Sequence, residues 1–224
     1  MLTKSKKLII LDLDGTLYNF QEGSFKRSSL RKKVMRNAEE YLMNKLNKTK
    51  KDASLVLRNV IKKYGENISI GLEKELGINR FDYFNSAWNI DAKKFIKFDP
   101  SVRKTMLEIS RCYDYLLISD APMIWVNNVL KELRIADIFN NKIISGEGDQ
   151  RKIFGNTFHM ILKDYKVKPE NCVVIGDQEE TDIIPAKKLG MRTIFVGRKN
   201  TSRYADHNIR KFKEITEILK LPKS

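Results

Sequence analysis

Residues 7–17 read KLIILDLDGTL, an apolar run that ends in two carboxylates, a glycine and a threonine. An almost unbroken apolar run of this length is typical of a strand buried on both faces, as the strands of a parallel sheet are. Similar short runs follow at 115–118, 172–175 and 193–196. Stretches with apolar residues at helical spacing, 123–133 and 154–165, separate the later runs. Strands that alternate with amphipathic helices predict an α/β fold built on a doubly wound parallel sheet.

About 100 residues lie between the first apolar run and the second, far more than one crossover helix needs. Their apolar side chains recur at helical spacing. Gly65 closes one stripe as a C-terminal cap, and Gly77 follows another. We therefore predict a doubly wound (Rossmann-like) core domain made of residues 1–19 and 97–224, with an inserted α-helical domain at residues 20–96. Aromatic residues of this helical insert form either its own core or the wall of a substrate pocket. They are Phe81, Tyr83, Phe84 and Trp88.

Polar residues directly follow three of the predicted strands. They are Asp12, Asp14, Gly15 and Thr16 after the first, Ser119 and Asp120 after the second, and Gly176, Asp177 and, a few residues on, Asp182 after the third. Because the carboxyl ends of parallel strands meet at one edge of a sheet, these side chains are expected to converge. Carboxylates gathered there would repel one another unless a cation neutralised them, and hard oxygen ligands suit Mg²⁺. A lone aspartate at a strand end is more often a turn or cap residue, but the whole set predicts a magnesium site.

The stretch Asp12-Leu13-Asp14-Gly15-Thr16-Leu17 resembles the signature of the haloacid dehalogenase-like hydrolase superfamily. Later residues match the family's motifs in the family's order: Ser119 at the end of an apolar run, then Lys152, then Gly176-Asp177 with Asp182. The likeness covers residues 7–17 and about 99–197, roughly half of the chain. It implies the α/β core. The helical insert resembles the mobile cap of phosphatases of the phosphoglycolate phosphatase and nucleotidase-like type.

Carried over by position, the resemblance implies the chemistry at the tip of the first strand. Asp12 would attack phosphorus and carry the phosphoryl group as an aspartyl-phosphate, while Asp14 would act as general acid and then as general base. A magnesium ion on Asp12, on the main-chain carbonyl of Asp14 and on Asp177 would offset the charge of the phosphoryl group. Gly15 permits the chain to turn directly after Asp12.

The resemblance also implies how phosphate is held. Ser119 matches the phosphate-binding hydroxyl, and Lys152 matches the cation that offsets charge on the transferring group. Asp182 is expected to orient metal-bound water or its own loop rather than to bind the metal. Further candidates for phosphate or substrate contacts are Gly15, Thr16 and Asp120.

Two positions depart from family usage. Relatives usually carry Asn after the motif serine, whereas this chain has Asp120, which adds a negative charge near the phosphate site. Many relatives carry Pro after the motif lysine, whereas this chain has Ile153. Arg151, which precedes the lysine, is the reserve candidate for the cation.

The resemblance implies a magnesium-dependent phosphomonoesterase acting on a small phosphorylated metabolite, such as phosphoglycolate, a triose or sugar phosphate, or a nucleoside monophosphate. A sugar-phosphate mutase, which uses the same two aspartates, is an alternative. A basic nucleic-acid-binding protein is another, since the chain carries 43 Lys and Arg against 28 Asp and Glu, a net charge of +15. Because a binding module has no need of the Asp12 and Asp14 pair, the enzyme is favoured and no nucleic-acid partner is expected.

No apolar run approaches the roughly 20 residues that a bilayer span requires. The sequence therefore predicts a cytoplasmic protein with no membrane partner, as a monomer or a homodimer. The residues of the helical insert carry no readable motif, so the sequence leaves the substrate undefined.

Overall fold

Parallel strands form one sheet in the part of the chain that the structure, a computed structural model, describes: residues 7–148 and 151–221. The strands are β1 (Leu8–Asp12), β2 (Asp114–Ile118), β3 (Ile143–Ile144), β4 (Cys172–Gly176), β5 (Arg192–Val196) and β6 (His207–Ile209). Their order across the sheet is β3-β2-β1-β4-β5-β6, and every neighbouring pair is parallel. The chain runs outward from β1 to β3 and then crosses back to run from β4 to β6. This is the doubly wound arrangement, so the α/β prediction is confirmed.

The helices of the described residues are α1 (Ser29–Leu46), α2 (Lys50–Tyr64), α3 (Ile68–Leu76), α4 (Arg80–Ala87), α5 (Pro100–Cys112), α6 (Met123–Glu132), α7 (Ala136–Phe139), α8 (Thr157–Tyr165), α9 (Ile184–Lys188) and α10 (Ile215–Ile218). Helices α5 to α10 cover the two faces of the sheet. Alternate residues of β1 point to opposite faces, as strand geometry requires. Ile9 and Leu11 join the hydrophobic cluster that includes α5, α6, α7 and α10, whereas Leu8 and Ile10 join the cluster of α8 and α9.

Four helices, α1 to α4, form the helical insert between β1 and β2, and they pack against one another. Their ends follow from local chemistry. The side chains of Ser28 and Thr49 accept hydrogen bonds from the first turns of α1 and α2, and Gly65 and Gly77 end α2 and α3 with positive φ angles of 60° and 62°. The predicted cap at Gly65 is confirmed, and the structure shows that Gly77 is a cap as well. The domain boundaries stay a prediction, and the ends of the predicted core, 1–6 and 222–224, lie outside the described residues.

The aromatic residues of the helical insert divide between its interior and its surface. Tyr83 and Phe84 are each 2% exposed and belong to the insert's own core, whereas Phe81 is 52% exposed. Trp88, which is partly buried, stacks on Phe25 with 5.7 Å between ring centroids. Tyr83 and Phe84 therefore stabilise the insert through packing.

Sequence patterns missed two strands and misplaced the start of one helix. β3 has two residues and β6 is polar, so neither produces an apolar run. The helix predicted from residue 154 begins at Thr157, because Lys152–Phe154 forms a 3-10 turn that Gly155 ends with a φ of 79°. Among the described residues, none of the helices combines the length and apolarity of a membrane span.

Candidate active site

The register of the sheet brings the predicted site residues to one edge. Asp12, the last residue of β1, lies opposite Ile118 of β2, and Leu11 lies opposite Ile175 of β4. The chain therefore leaves all three strands at the same level, with Ser119 on one side of Asp12 and Asp177 on the other. This convergence is what the strand ends predicted.

A tight turn follows β1 and brings the chain against Asp177. Gly15 has a φ of 96°, and a Cβ atom on it would lie 2.0 Å from Oδ2 of Asp177. The positive φ therefore disfavours any residue but glycine at this position, and a side chain there would also displace the Asp177 carboxylate. Gly15 thus allows the turn that was expected directly after Asp12. It also leaves room for the Asp177 side chain beside this turn.

Three carboxylates form a cluster at this edge. Oxygen atoms of Asp12, Asp177 and Asp182 all lie within 4.8 Å of one another. Burial, together with the charges of Asp12 and Asp182, raises the pKa of Asp177 well above its ordinary value. Burial also raises the pKa of Asp182 to about 7, although Lys152 opposes the shift. These raised pKa values mean that the negative charge of the cluster is only partly compensated.

Lys152 is the cation within this cluster. Its ammonium group donates hydrogen bonds of 2.6 Å to Oδ1 of Asp12 and 2.6 Å to Oδ1 of Asp182, and the residue is 4% exposed. Burial alone would lower the pKa of Lys152, but the nearby charges of Asp12 and Asp182 raise it well above its ordinary value. Lys152 therefore stays charged and holds one oxygen of Asp12 in place.

The second oxygen of Asp12 is held by Thr16. The hydroxyl of Thr16 donates a hydrogen bond of 2.9 Å to Oδ2 of Asp12, and both residues are buried. Lys152 and Thr16 thus fix the orientation of the carboxylate from two sides. A carboxylate held in this way and 4% exposed meets the structural requirement for a nucleophile that attacks a bound substrate.

The donor set fits a hard divalent cation. Asp12, Asp177 and Asp182 offer carboxylate oxygens, the ligands that Mg²⁺ prefers. Oδ1 of Asp177 is buried and has no hydrogen-bond partner among the described residues. A buried carboxylate oxygen without a partner is costly, so a cation at this point would remove an unfavourable feature of the site.

The side chain of Asp14 lies outside this carboxylate cluster. Its Oδ1 accepts a hydrogen bond of 2.8 Å from Nε1 of Trp125 and a short one from the hydroxyl of Tyr18. Its Oδ2 accepts a hydrogen bond of 3.1 Å from Oγ of Ser119. Burial raises the pKa of Asp14, and the charge of Asp12 adds to the shift while the hydrogen bonds oppose it.

Ser119 and Asp120 occupy the tip of β2 but make different contacts. Ser119 accepts a hydrogen bond of 3.1 Å from the main-chain N–H of Ala121 and donates to Asp14. Oδ1 of Asp120 accepts a hydrogen bond of 2.8 Å from the main-chain N–H of Lys152. The Asp120 carboxylate therefore holds the turn that carries Lys152, and a phosphate contact by Asp120 stays a prediction.

Arg151 links the core to the helical insert. Its Nη1 donates a hydrogen bond of 2.6 Å to Oδ1 of Asn67, which precedes α3, and its Nη2 donates one of 3.3 Å to the carbonyl of Asp120. Lys152, rather than Arg151, contacts the candidate nucleophile Asp12. The lysine prediction is thus favoured over its reserve.

Sequence reasoning missed Tyr18 and Trp125. Tyr18 lies directly beyond the signature, and Trp125 was recognised only as part of the apolar stripe of α6. Neither position carries a motif, and Trp125 is 111 residues from the aspartate that it contacts. Only the folded chain reveals that these two polar groups meet Asp14.

The Asp120 contact predicts how two substitutions differ. Asp120→Asn keeps an Oδ1 acceptor for the N–H of Lys152, so we expect kcat/KM for a phosphate ester to stay within about threefold of wild type. Asp120→Ala leaves that N–H without its partner and loosens the turn, so we expect a loss of about 10- to 100-fold. Steady-state kinetics of both purified variants measures the difference. Equal activities of the two variants would contradict a role for Asp120 in holding Lys152.

The chain is similar to a known protein family and to individual known proteins. The family model described as haloacid dehalogenase-like hydrolase matches residues 6–190. A glyceraldehyde 3-phosphate phosphatase of Pyrococcus furiosus is 28% identical over 231 residues, which cover 95% of this chain and 92% of that protein. A glyceraldehyde 3-phosphate phosphatase of Methanocaldococcus jannaschii is 29% identical over 232 residues, which cover 96% of this chain and 97% of that protein.

Solved structures have the same fold. A HAD phosphatase from Thermococcus onnurineus matches with a TM-score of 0.67 at 18% identity, covering 97% of this chain and 100% of that chain. The family model extends over β1, the helical insert and the loop that carries Asp177 and Asp182. The resemblance seen in the sequence is confirmed: the chain belongs to the haloacid dehalogenase-like hydrolase family.

Proposed function

We propose that the chain is a magnesium-dependent phosphomonoesterase that hydrolyses a small phosphorylated metabolite through an aspartyl-phosphate on Asp12. The observation that carries the proposal is the arrangement of Asp12 itself. One of its oxygens is bound by Lys152 at 2.6 Å, the other by Thr16 at 2.9 Å, and a buried oxygen of Asp177 without a partner among the described residues lies in the same carboxylate cluster. Such a site can orient a nucleophile and compensate the charge of a phosphoryl group.

Residues of this chain would perform the reaction in two steps. Asp12 attacks phosphorus as Asp14 donates a proton to the leaving oxygen, and an alcohol departs. Asp14 then accepts a proton from a water molecule that attacks the aspartyl-phosphate, which releases phosphate and restores both aspartates. A magnesium ion bound by Asp12, Asp177 and the main-chain carbonyl of Asp14 would supply charge compensation for the phosphoryl group.

The substrate class that we favour is a triose phosphate. Two curated relatives that align over more than nine-tenths of this chain are glyceraldehyde 3-phosphate phosphatases. Their alignments with this chain include the helical insert, the part of the chain that is expected to contact the substrate beyond its phosphate. We therefore propose glyceraldehyde 3-phosphate, or a phosphate ester of similar size, as the substrate.

A phosphate-release screen with Mg²⁺ tests the function. The panel would contain glyceraldehyde 3-phosphate, glycerol 3-phosphate, phosphoglycolate, phosphoserine, glucose 6-phosphate and a nucleoside monophosphate. We expect release from the triose phosphate with the highest kcat/KM. Interconversion of sugar phosphates without release would instead identify a mutase. If the protein releases no phosphate and binds nucleic acid with a steep salt dependence, the enzyme proposal is wrong.

The raised pKa values predict a link between magnesium, pH and stability. In the unfolded chain an aspartate has a pKa of about 3.9. In the folded chain Asp182 has a pKa of about 7, and the pKa of Asp177 is also raised. The metal-free folded state thus binds more protons than the unfolded state between pH of about 4 and about 7, so its stability falls as pH rises through that window. Magnesium requires the ionised carboxylates, so its stabilising effect grows over the same window.

Thermal unfolding with and without Mg²⁺ at two pH values measures this link. At a magnesium concentration of about 100 times Kd we expect an increase in Tm of about 5–10 °C at pH 8 and a clearly smaller one at pH 5. Asp177→Asn is the control and should lose most of the increase at pH 8. A magnesium effect that is equal at both pH values would contradict a site made of these carboxylates.

A further inference from the structure

Three hydrogen-bond donors surround the Asp14 carboxylate, and they are divided between its two oxygens. Oδ1 accepts from the indole N–H of Trp125 at 2.8 Å and from the hydroxyl of Tyr18. Oδ2 accepts from the hydroxyl of Ser119 at 3.1 Å. Trp125 is fully buried and Tyr18 and Ser119 are nearly so. The Asp14 carboxylate is therefore held by hydrogen bonds from buried side chains and not by contacts at the surface.

The donors differ in what else they can do. An indole N–H can only donate, and the Tyr18 phenol, whose pKa burial raises well above its ordinary value, keeps its proton and donates as well. The ring of Phe20 packs edge-on against the ring of Tyr18, with 5.4 Å between centroids, and limits its movement. The hydroxyl of Ser119, by contrast, has a single proton, which it can donate either to Asp14 or to another acceptor.

We propose that Trp125 and Tyr18 are positioning residues that anchor Oδ1 of Asp14 and thereby confine its transferable proton to Oδ2. Oδ1 already accepts two hydrogen bonds from donors that keep their protons, so a proton on Asp14 is accommodated at Oδ2. When a phosphate group accepts a hydrogen bond from Ser119 in place of Asp14, Oδ2 becomes free to face the leaving oxygen. The proposal rests on the proposed function, since it assigns the oxygen through which Asp14 acts.

The proton balance follows from this division. As the bond from Asp12 to phosphorus forms and the bond from phosphorus to the leaving oxygen breaks, the proton on Oδ2 moves to that oxygen and the alcohol leaves. In the second step a water oxygen forms a bond to phosphorus, its proton moves to Oδ2, and the bond from Asp12 to phosphorus breaks. Trp125 and Tyr18 exchange no proton in either step. Their contribution is the position of Asp14.

Leaving-group dependence separates this role from a merely structural one. A poor leaving group, such as the alkoxide of a triose phosphate, requires protonation, whereas the phenolate of p-nitrophenyl phosphate leaves without it. Trp125→Phe and Tyr18→Phe each remove one donor to Oδ1 and keep an aromatic ring. For each variant we expect kcat/KM to fall about 10- to 100-fold on the alkyl phosphate that wild type hydrolyses fastest, and less than about threefold on p-nitrophenyl phosphate.

Tyr115→Phe is the matched control. Tyr115 lies at the start of β2, away from the strand tips, and its buried hydroxyl donates a hydrogen bond of 2.7 Å to the carbonyl of Ile138. This variant loses a buried tyrosine hydroxyl, as Tyr18→Phe does, but no contact with Asp14. We expect its kcat/KM values for the two esters to keep the wild-type ratio. Thermal unfolding of all variants checks that each is folded. If Trp125→Phe folds poorly, Tyr18→Phe, which removes only one oxygen atom, still tests the proposal.

Two results would overturn the proposal, and they differ from each other. Equal losses on both esters in Tyr18→Phe and Trp125→Phe, or no loss on either ester, would show that these residues do not position Asp14 and would leave the proposed function standing. Wild-type protein that hydrolyses neither ester would refute the proposed function and this proposal together. Asp14→Asn serves as the reference, because it should have the same leaving-group dependence with a larger loss.

Discussion

Asp12→Asn is expected to abolish phosphate release while the chain stays folded. The amide cannot form the acyl phosphate, so kcat should fall by at least about 10⁴-fold, the scale on which removal of a nucleophile acts. The substitution is isosteric, and Lys152 keeps its second carboxylate partner, Asp182. We therefore expect only a modest change in the free energy of unfolding. Steady-state kinetics and chemical unfolding of the purified variant measure the two quantities.

The matched control for this substitution is Asp91→Asn. Asp91 is exposed in the helical insert region, where its Oδ1 accepts a hydrogen bond of 3.1 Å from the main-chain N–H of Lys93. An asparagine keeps that acceptor, so activity and stability should both match wild type. Asp91→Asn shows how an asparagine substitution away from the site behaves. Normal turnover by Asp12→Asn would exclude the covalent mechanism.

Lys152→Met is expected to lower both stability and activity. The substitution removes the buried ammonium group and leaves Asp12 and Asp182 without their shared cation. Breaking a buried ion pair from one side costs about 3–5 kcal/mol, since the remaining charge is buried and unpaired. We expect that loss in the free energy of unfolding in metal-free buffer, together with a fall in kcat/KM of about 10³-fold or more.

Lys187→Met supplies the comparison for this second prediction. Lys187 pairs with Asp206, but the two side chains are 46% and 30% exposed, so water already screens their charges. We expect the variant to lose less than about 1 kcal/mol and to keep full activity. If Lys152→Met and Lys187→Met lost equal stability, the carboxylates around Lys152 would not depend on it for charge compensation.

The sheet and part of the site were predictable because they depend on local patterns. The apolar runs of β1, β2, β4 and β5 identified the central strands, and parallel topology alone implied that Asp12, Ser119 and Asp177 would meet. Lys152 needed the family resemblance, since a lysine that precedes a helix is usually exposed to solvent. Its position in the structure, with hydrogen bonds to Asp12 and Asp182, supports that assignment.

The contacts of Asp14 were not predictable, for a physical reason. A tryptophan on an apolar helical stripe is explained fully by packing, and nothing in its local sequence indicates where the indole N–H points. Its partner is set by how α6 packs on the sheet, a long-range arrangement without a sequence period. The same reason explains Asp120, whose carboxylate accepts a hydrogen bond from a residue 32 positions away. The edge strands β3 and β6 were not predicted because short or polar strands give no apolar run.

The measurement that tests the central claim most directly is the identity of the phosphorylated residue. Wild-type protein would be mixed with p-nitrophenyl phosphate and Mg²⁺, quenched in acid during turnover, digested, and analysed by mass spectrometry. We expect one phosphoryl group on the peptide that contains residues 7–17, located at Asp12, and none in Asp12→Asn protein. A phosphoryl group on any other residue, or phosphate release by Asp12→Asn protein, would contradict the account.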